Sequence, residues 1–234
     1  MRYKVAFRFA TDGDLRFISH HDTMRMFQRA LSRARLPVKY SEGFNPIPKL
    51  SIPLPRPVGL GSDADLLVVE LTEAFDPHVA KDSLARQMPE GIHLQDAWRI
   101  DERSKPKPLR VTYELALPES EARTIGPHVE AIREAEHRFI QRPGAPGKPS
   151  RKLDVKAHLL DIAVHDGLLR WIVAGTNEAT VRPVDLLREL QLPADEWHHR
   201  VRRVDVQWQG AEPVANEQPS LTDAPDEPRP TGNG

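Results

Sequence analysis

Five prolines fall between residues 46 and 57 (Pro46, Pro48, Pro53, Pro55 and Pro57), and they restrict what this chain can fold into. Proline gives no amide hydrogen to a sheet ladder and breaks a helix interior. The run therefore reads as an extended segment at a sheet edge. A helix precedes it. Ser19 and Asp22 have capping-box spacing. Met24, Phe27, Ala30, Leu31 and Ala34 then recur at helical spacing and form one apolar stripe. Pro37 closes the helix, because the residue before a proline avoids the helical region. Leu15–Ile18 reads as a short strand ahead of the helix. Val38–Ser41 and Leu50–Leu54 read as strand segments on either side of the proline loop.

This stretch also gathers polar groups with no evident structural task. Arg25, Arg29 and Arg33 follow at i, i+4 and i+8, a basic row about 12 Å long at 1.5 Å per residue. Such a row is most simply a solvated face, and Ser19 and Asp22 are most simply caps. His20 is odd in a first turn, where the helix dipole does not favour a cation, so it is a candidate donor to an anion or a candidate base. Tyr40-Ser41-Glu42-Gly43-Phe44-Asn45-Pro46 is turn chemistry around a bulky aromatic. A stiff loop there presents Phe44, Asn45 and Lys49, and stiffness lowers the entropy lost on binding.

The runs FISHHDTMRMFQRALSRA and VKYSEGFNPIPKLSIPLPRPVGLGSDAD resemble the DUF2344 family of uncharacterised, radical-SAM-linked bacterial proteins. Ser19, His20, Asp22, Arg25, Arg29, Ala30 and Leu31 fit its S-H-x-D helix. Tyr40, Ser41, Gly43, Phe44, Asn45, Pro46, Pro48 and Ser51 fit its Y-S-x-G-F-N-P loop. His21 and Ile47 depart from the pattern. The resemblance implies a setting and not a reaction: the partner is a radical-SAM protein of the cobalamin (B12)-binding type. The resemblance implies that the iron–sulfur cluster, S-adenosylmethionine and cobalamin would belong to that partner, and no cofactor is expected in this chain.

The chain has no cysteine, which excludes disulfides, thiolate metal sites and a cysteine-held iron–sulfur cluster. It is therefore not itself a radical-SAM enzyme. His20-His21 and His198-His199 are adjacent pairs whose side chains point apart, so no metal residues are assigned. No G-x-S-x-G, Walker or G-x-G-x-x-G pattern occurs. No apolar run reaches the roughly 18 residues of a membrane span. A soluble, cytoplasmic protein with no membrane contact is expected. The formal net charge is −1, but residues 210–234 hold Glu212, Glu217, Asp223, Asp226 and Glu227 against Arg229 alone. The body is mildly basic, and the Pro- and Ala-rich acidic tail is expected to be disordered.

Tyr3–Ala10 alternates as a strand with Val5, Phe7 and Phe9 on one face, and Asp65–Thr72 is a mostly apolar central strand. Asp76-Pro77 starts a second helix to about Met88, with Val79, Ala80, Leu84 and Met88 inward, and Ile92–Ile100 is a strand. The order is β-α-β-β-α-β. Asp101–Pro108 is a charged connector, after which the pattern repeats. Arg110–Leu117 is a strand. Glu119–Arg138 is a helix broken or restarted at Gly126-Pro127. Arg142–Lys152 is a flexible basic loop. Lys152–His165 and Leu168–Gly175 form a hairpin about Asp166-Gly167. Pro183–Leu192 is a short helix, and Arg200–Trp208 is the last strand. The expected fold class is α+β: two ferredoxin-like units with antiparallel sheets at residues 1–100 and 109–208, then a disordered tail at 209–234.

Arg16, Arg25, Arg29, Lys39 and Lys49 accompany Tyr40 and Phe44, and that grouping suits RNA, with cations on phosphates and aromatics on bases. The candidate ligand-binding residues are Arg16, Ser19, His20, Arg25, Arg29, Tyr40, Ser41, Gly43, Phe44, Asn45 and Lys49. His20 and Asp22 are the candidate catalytic residues. The favoured expectation is a non-catalytic accessory module that presents RNA to the radical-SAM partner. One alternative is a small stand-alone enzyme or ligand-binding protein built on His20, Asp22 and the Gly43–Lys49 loop. The other is a protein–protein adaptor that docks through the proline-rich edge.

Overall fold

The computed structural model describes residues 3–142, 147, 149–175 and 181–214. The fold is mixed α+β around one mostly antiparallel sheet. Strand β1 (Tyr3–Thr11) is followed by a 3-10 turn at Gly13–Phe17, where strand had been expected over Leu15–Ile18. The cause is local: Asp12 accepts from Gly13 N, and Gly13 takes the left-handed conformation that turns the chain. Helix α1 (His20–Ala34) buries Phe27, Ala30 and Leu31, with Met24 and Ala34 packed beside them. It ends as Arg35 turns left-handed, two residues before Pro37.

Residues 38–41 and 52–54 do not form strands. Val38 and Tyr40 make isolated bridges to Leu71 and Pro48, and β2 is reduced to Leu50–Ser51. The neighbouring prolines lack the donors that a longer ladder needs. Strand β3 (Gly61–Leu71) is the long central strand. Helix α2 (Pro77–Ala85) is capped by Asp76, which accepts from His78 N at 2.7 Å and Val79 N at 3.1 Å. Its buried residues are Pro77, Ala80 and Leu84. Val79 is 52% exposed, contrary to expectation, because the next helical turn, at Ala80 and Leu84, faces the sheet. Strand β4 (Ile92–Ile100) completes the first half, with strand order β4-β1-β3-β2 and every pairing antiparallel.

Strand β5 (Lys107–Ala116) leads to α3 (Glu119–Glu134). This helix runs through Pro127 without a break, held by the buried stripe Ile125, Val129 and Ile132, and it stops before Arg138. Strands β6 (Phe139–Arg142) and β7 (Arg151–Asp154) then pair as a separate two-stranded sheet, so both flanks of the expected loop 142–152 are ordered strand. Residues 143–146 and 148 of that loop lie outside the described residues. Asp154 ends β7 by accepting from Arg138 N at 2.9 Å and Lys156 N at 3.1 Å, which cuts off the long strand expected from Lys152. Strands β8 (Leu159–His165) and β9 (Leu168–Ala174) form the hairpin at Asp166-Gly167, both with positive φ. Short helices α4 (Pro183–Glu189) and α5 (Ala194–Trp197) precede β10 (Arg202–Gln209). The second half has strand order β8-β9-β5-β10, again antiparallel. Residues 215–234, most of the predicted tail, lie outside the described residues.

The halves share one sheet. Strand β10 runs parallel to the start of β3, pairing Arg202 with Gly61 and Arg203 with Ser62, while β2 takes the later part of the same β3 edge. Beneath that short seam Arg203 and Asp65 are 1% and 3% exposed. Asp65 accepts from Arg203 at 2.8 Å, Ser62 at 2.7 Å and Thr11 at 3.3 Å, and the Arg56 guanidinium lies 3.8 Å away. Arg56 also donates to the carbonyls of Arg16 and Leu60, both at 2.6 Å. The helices cover one face of the first-half sheet over Leu67 and Val69. The opposite face carries a smaller cluster of Ala6, Leu66, Val68, Ile100 and Ala211.

Candidate functional site

Alternation along β1 and β3 decides which side chains reach the face without helices. Val5, Phe7, Leu67 and Val69 point to the helices, so Lys4, Ala6, Val68 and Glu70 point the other way. Lys4 stands opposite Glu70 in the β1–β3 register, and Glu70 N donates to Lys49 O across the β2 edge at 2.9 Å. Lys4 on β1, Glu70 on β3 and Lys49 just before β2 thus form a row. The connector from β4 to β5 rises beside them, fixed by Lys4 Nζ donating to Ser104 O at 2.8 Å and by Ser104 Oγ donating to Gly210 O. Between connector and sheet lies an open groove of about 670 Å³, with Val68 in its floor and Lys4, Lys49, Lys105 and Lys107 around it. Glu70 is the one carboxylate among its described lining residues.

Ser41 and Ile47 also line this groove. They close the loop between them: Ser41 N donates to Ile47 O at 2.8 Å, and Ile47 N donates to Ser41 Oγ at 3.0 Å. Gly43 has φ of 124°, a conformation that side chains rarely adopt. Phe44, midway along the loop, is fully exposed, and Asn45 beside it is exposed. The loop is closed at its base, with an unburied aromatic at its tip beside a basic groove.

The other predicted site residues lie elsewhere. Ser19 caps α1: its Oγ accepts from Asp22 N at 3.1 Å and donates to Asp22 Oδ2 at 2.7 Å. Asp22 also faces Arg25 at 3.6 Å. His20 is half-buried near His21, their ring centroids 6.0 Å apart. Burial, and then the neighbouring His21, hold the His20 imidazole below its ordinary 6.5. The shift favours the neutral imidazole over the cation. Arg25 and Arg29 line a second cleft, against the turn after α2. Tyr40 reaches the end of α1, its hydroxyl 3.4 Å from Ser32 Oγ. Arg16 belongs to the seam: it donates to His199 O at 3.0 Å and lies 4.9 Å from the Phe17 ring centroid.

The sequence reading grouped Arg16, Arg25, Arg29 and Lys49 with Tyr40 and Phe44; the structure places Ser41 and Lys49 in the groove lining, with the Gly43–Asn45 loop closed beside it, and puts Arg16, Arg25 and Arg29 elsewhere. The sequence reading missed Lys4, Lys105 and Lys107. The signal for the last two was the Lys-Pro-Lys-Pro run at 105–108, read only as a boundary. Among the described residues no group of three or more His, Asp or Glu side chains is placed to hold a metal ion, and no helix is long and apolar enough to cross a membrane.

Sheet, helices and groove define a mixed α+β protein with a lysine-lined trough on the face of its first-half sheet opposite α1 and α2. The chain belongs to the DUF2344 family, described as uncharacterized proteins conserved in bacteria, whose model matches residues 4–183. No curated protein matches it. Among solved structures it is similar to an unknown protein from Galdieria sulphuraria at 13% identity, covering 89% of this chain and 98% of that one. The TM-score is 0.25, so that likeness carries no argument.

Proposed function

We propose that this protein is a non-catalytic, cytoplasmic accessory module that holds single-stranded RNA in the lysine-lined groove and presents it to a radical-SAM, cobalamin-type partner. The reading takes its two halves as ferredoxin-like units, which the strand orders β4-β1-β3-β2 and β8-β9-β5-β10 support. The partner is inferred from the family resemblance. RNA is inferred from the groove: four lysines against one carboxylate attract a polyanion. Phe44, on the closed loop at the rim, offers a stacking platform to any base. The catalytic alternative is the weaker one, because Asp22 directs its carboxylate to Ser19 and Arg25.

Fluorescence anisotropy with a short labelled oligoribonucleotide, over stepwise KCl, tests the substrate half. Lys49→Ala, Lys105→Ala and Lys107→Ala each remove one cation from the phosphate path. Each is expected to lower the slope of log K against log[salt] by about 0.7. Phe44→Ala is expected to cost about 1–3 kcal/mol of affinity with the slope unchanged. No binding at low salt, or full binding by the triple lysine variant, overturns the RNA reading. Capture of the tagged protein from its native host at low salt tests the partner half. Recovery of a radical-SAM protein supports it, and absence from a host shown to express one removes it.

A further inference from the structure

The cleft between α1 and the turn after α2 has a volume of about 470 Å³. Arg25, Arg29 and Arg33 line one side, and Gln87 and Met88 the other. Like charges one helical turn apart repel and weaken the helix that carries them. Two of the three arginines are steadied. Arg25 faces Asp22 at 3.6 Å, and Asp22 is itself fixed by Ser19. Arg33 donates to Gln87 O at 2.8 Å and to Gln87 Oε1 at 3.2 Å. Arg29, between them and exposed, has no hydrogen-bond or ion-pair partner among the described residues.

We infer that this cleft is a phosphate-class oxyanion site for a small phosphorylated ligand, with Arg29 as its central donor. Guanidinium groups are suited to it, since each offers paired donors in a plane that matches two oxygens of a phosphoryl group. Arg33 spends its Nε and Nη2 donors on Gln87, and Arg25 is turned to Asp22, whose carboxylate also lines the cleft, so the free guanidinium fork is that of Arg29, and an anion there relieves the repulsion along α1. Met26 and Met88 give the lining an adaptable apolar part for the uncharged portion of the ligand. The site is separate from the lysine groove. Helix α1 packs over Leu67 and Val69, whereas the groove has Val68 in its floor, on the opposite face of the sheet. The inference does not rest on the RNA reading.

Isothermal titration of the full chain with pyrophosphate as probe tests it. The wild type is expected to give saturable binding. Arg29→Ala is expected to weaken it about tenfold or more, the loss of a charged hydrogen-bonding group. Arg29→Lys keeps the charge but not the fork and is expected to fall between the two. The groove variant Lys49→Ala/Lys105→Ala is expected to bind pyrophosphate as the wild type does. Absence of saturable heat, an unchanged affinity in Arg29→Ala, or loss on the lysine substitutions instead of the arginine one overturns the assignment.

Discussion

Asp65 is the residue on which the seam between the halves depends. It lies between two buried guanidinium groups, Arg203 at 2.8 Å and Arg56 at 3.8 Å, and it also accepts from Ser62 and Thr11. Burial holds the Arg56 guanidinium below its ordinary value, with Asp65 opposing that shift and Arg203 adding to it. Removing one partner of a buried ion pair leaves an uncompensated charge and costs about 3–5 kcal/mol. Asp65→Asn keeps the shape and removes the charge, so a loss of that size is expected in urea unfolding. A loss below about 1 kcal/mol would show that the two arginines do not need the carboxylate. The same change at Asp22, exposed at the start of α1, leaves the Ser19 cap in place and removes only a first-turn charge, so the expected loss is at most about 1 kcal/mol.

At the scale of elements, legibility followed the strength of local signals. Helix α1 was readable because its cap, its stripe and its proline stop all agree. The hairpin at Asp166-Gly167 was readable because both residues take positive φ. Strand β2 was overestimated because apolar alternation says nothing about missing donors, and the prolines around it leave two residues of ladder. Helix α3 was expected to divide at Pro127, yet the stripe Ile125, Val129 and Ile132 packs across it and the helix continues. The site was half legible for a related reason. Turn chemistry marks Ser41–Asn45 within a few residues of chain, and Lys49 follows it closely. Lys4 and Lys107 reach the groove only through β1, β3 and β5, and nothing in the local pattern links positions so far apart. Arg203 was unreadable too: it looks like any charged residue of an exposed strand until β10 pairs with β3 and buries it.

At the scale of the whole molecule, one wall of the groove comes from a segment held by the chain beyond the last strand. The connector carrying Lys105 and Lys107 is tied down where Ser104 Oγ donates to Gly210 O. The next residue, Ala211, is buried against Ala6, Val68 and Ile100, and its carbonyl accepts from Trp98 Nε1 at 2.6 Å. Val214 N then donates to Arg99 O at 3.0 Å. Truncation after Gln209 removes all of these and uncovers Trp98. The lost Trp98–Ala211 hydrogen bond is worth about 1 kcal/mol net, the packing of Ala211 goes with it, and for a chain of this size each kcal/mol moves Tm by about 2–4 °C. Truncation after Val214 keeps all of these interactions and removes only residues 215–234, whose charge is acidic. Thermal unfolding is therefore expected to show a fall of several degrees for the first truncation and little change for the second. RNA affinity is expected to fall with the first, as the connector loosens, and to hold or rise with the second, as acidic charge leaves. Equal Tm values for the two truncations would mean that the connector stands without the chain after β10, and that the groove is built by the sheet face alone.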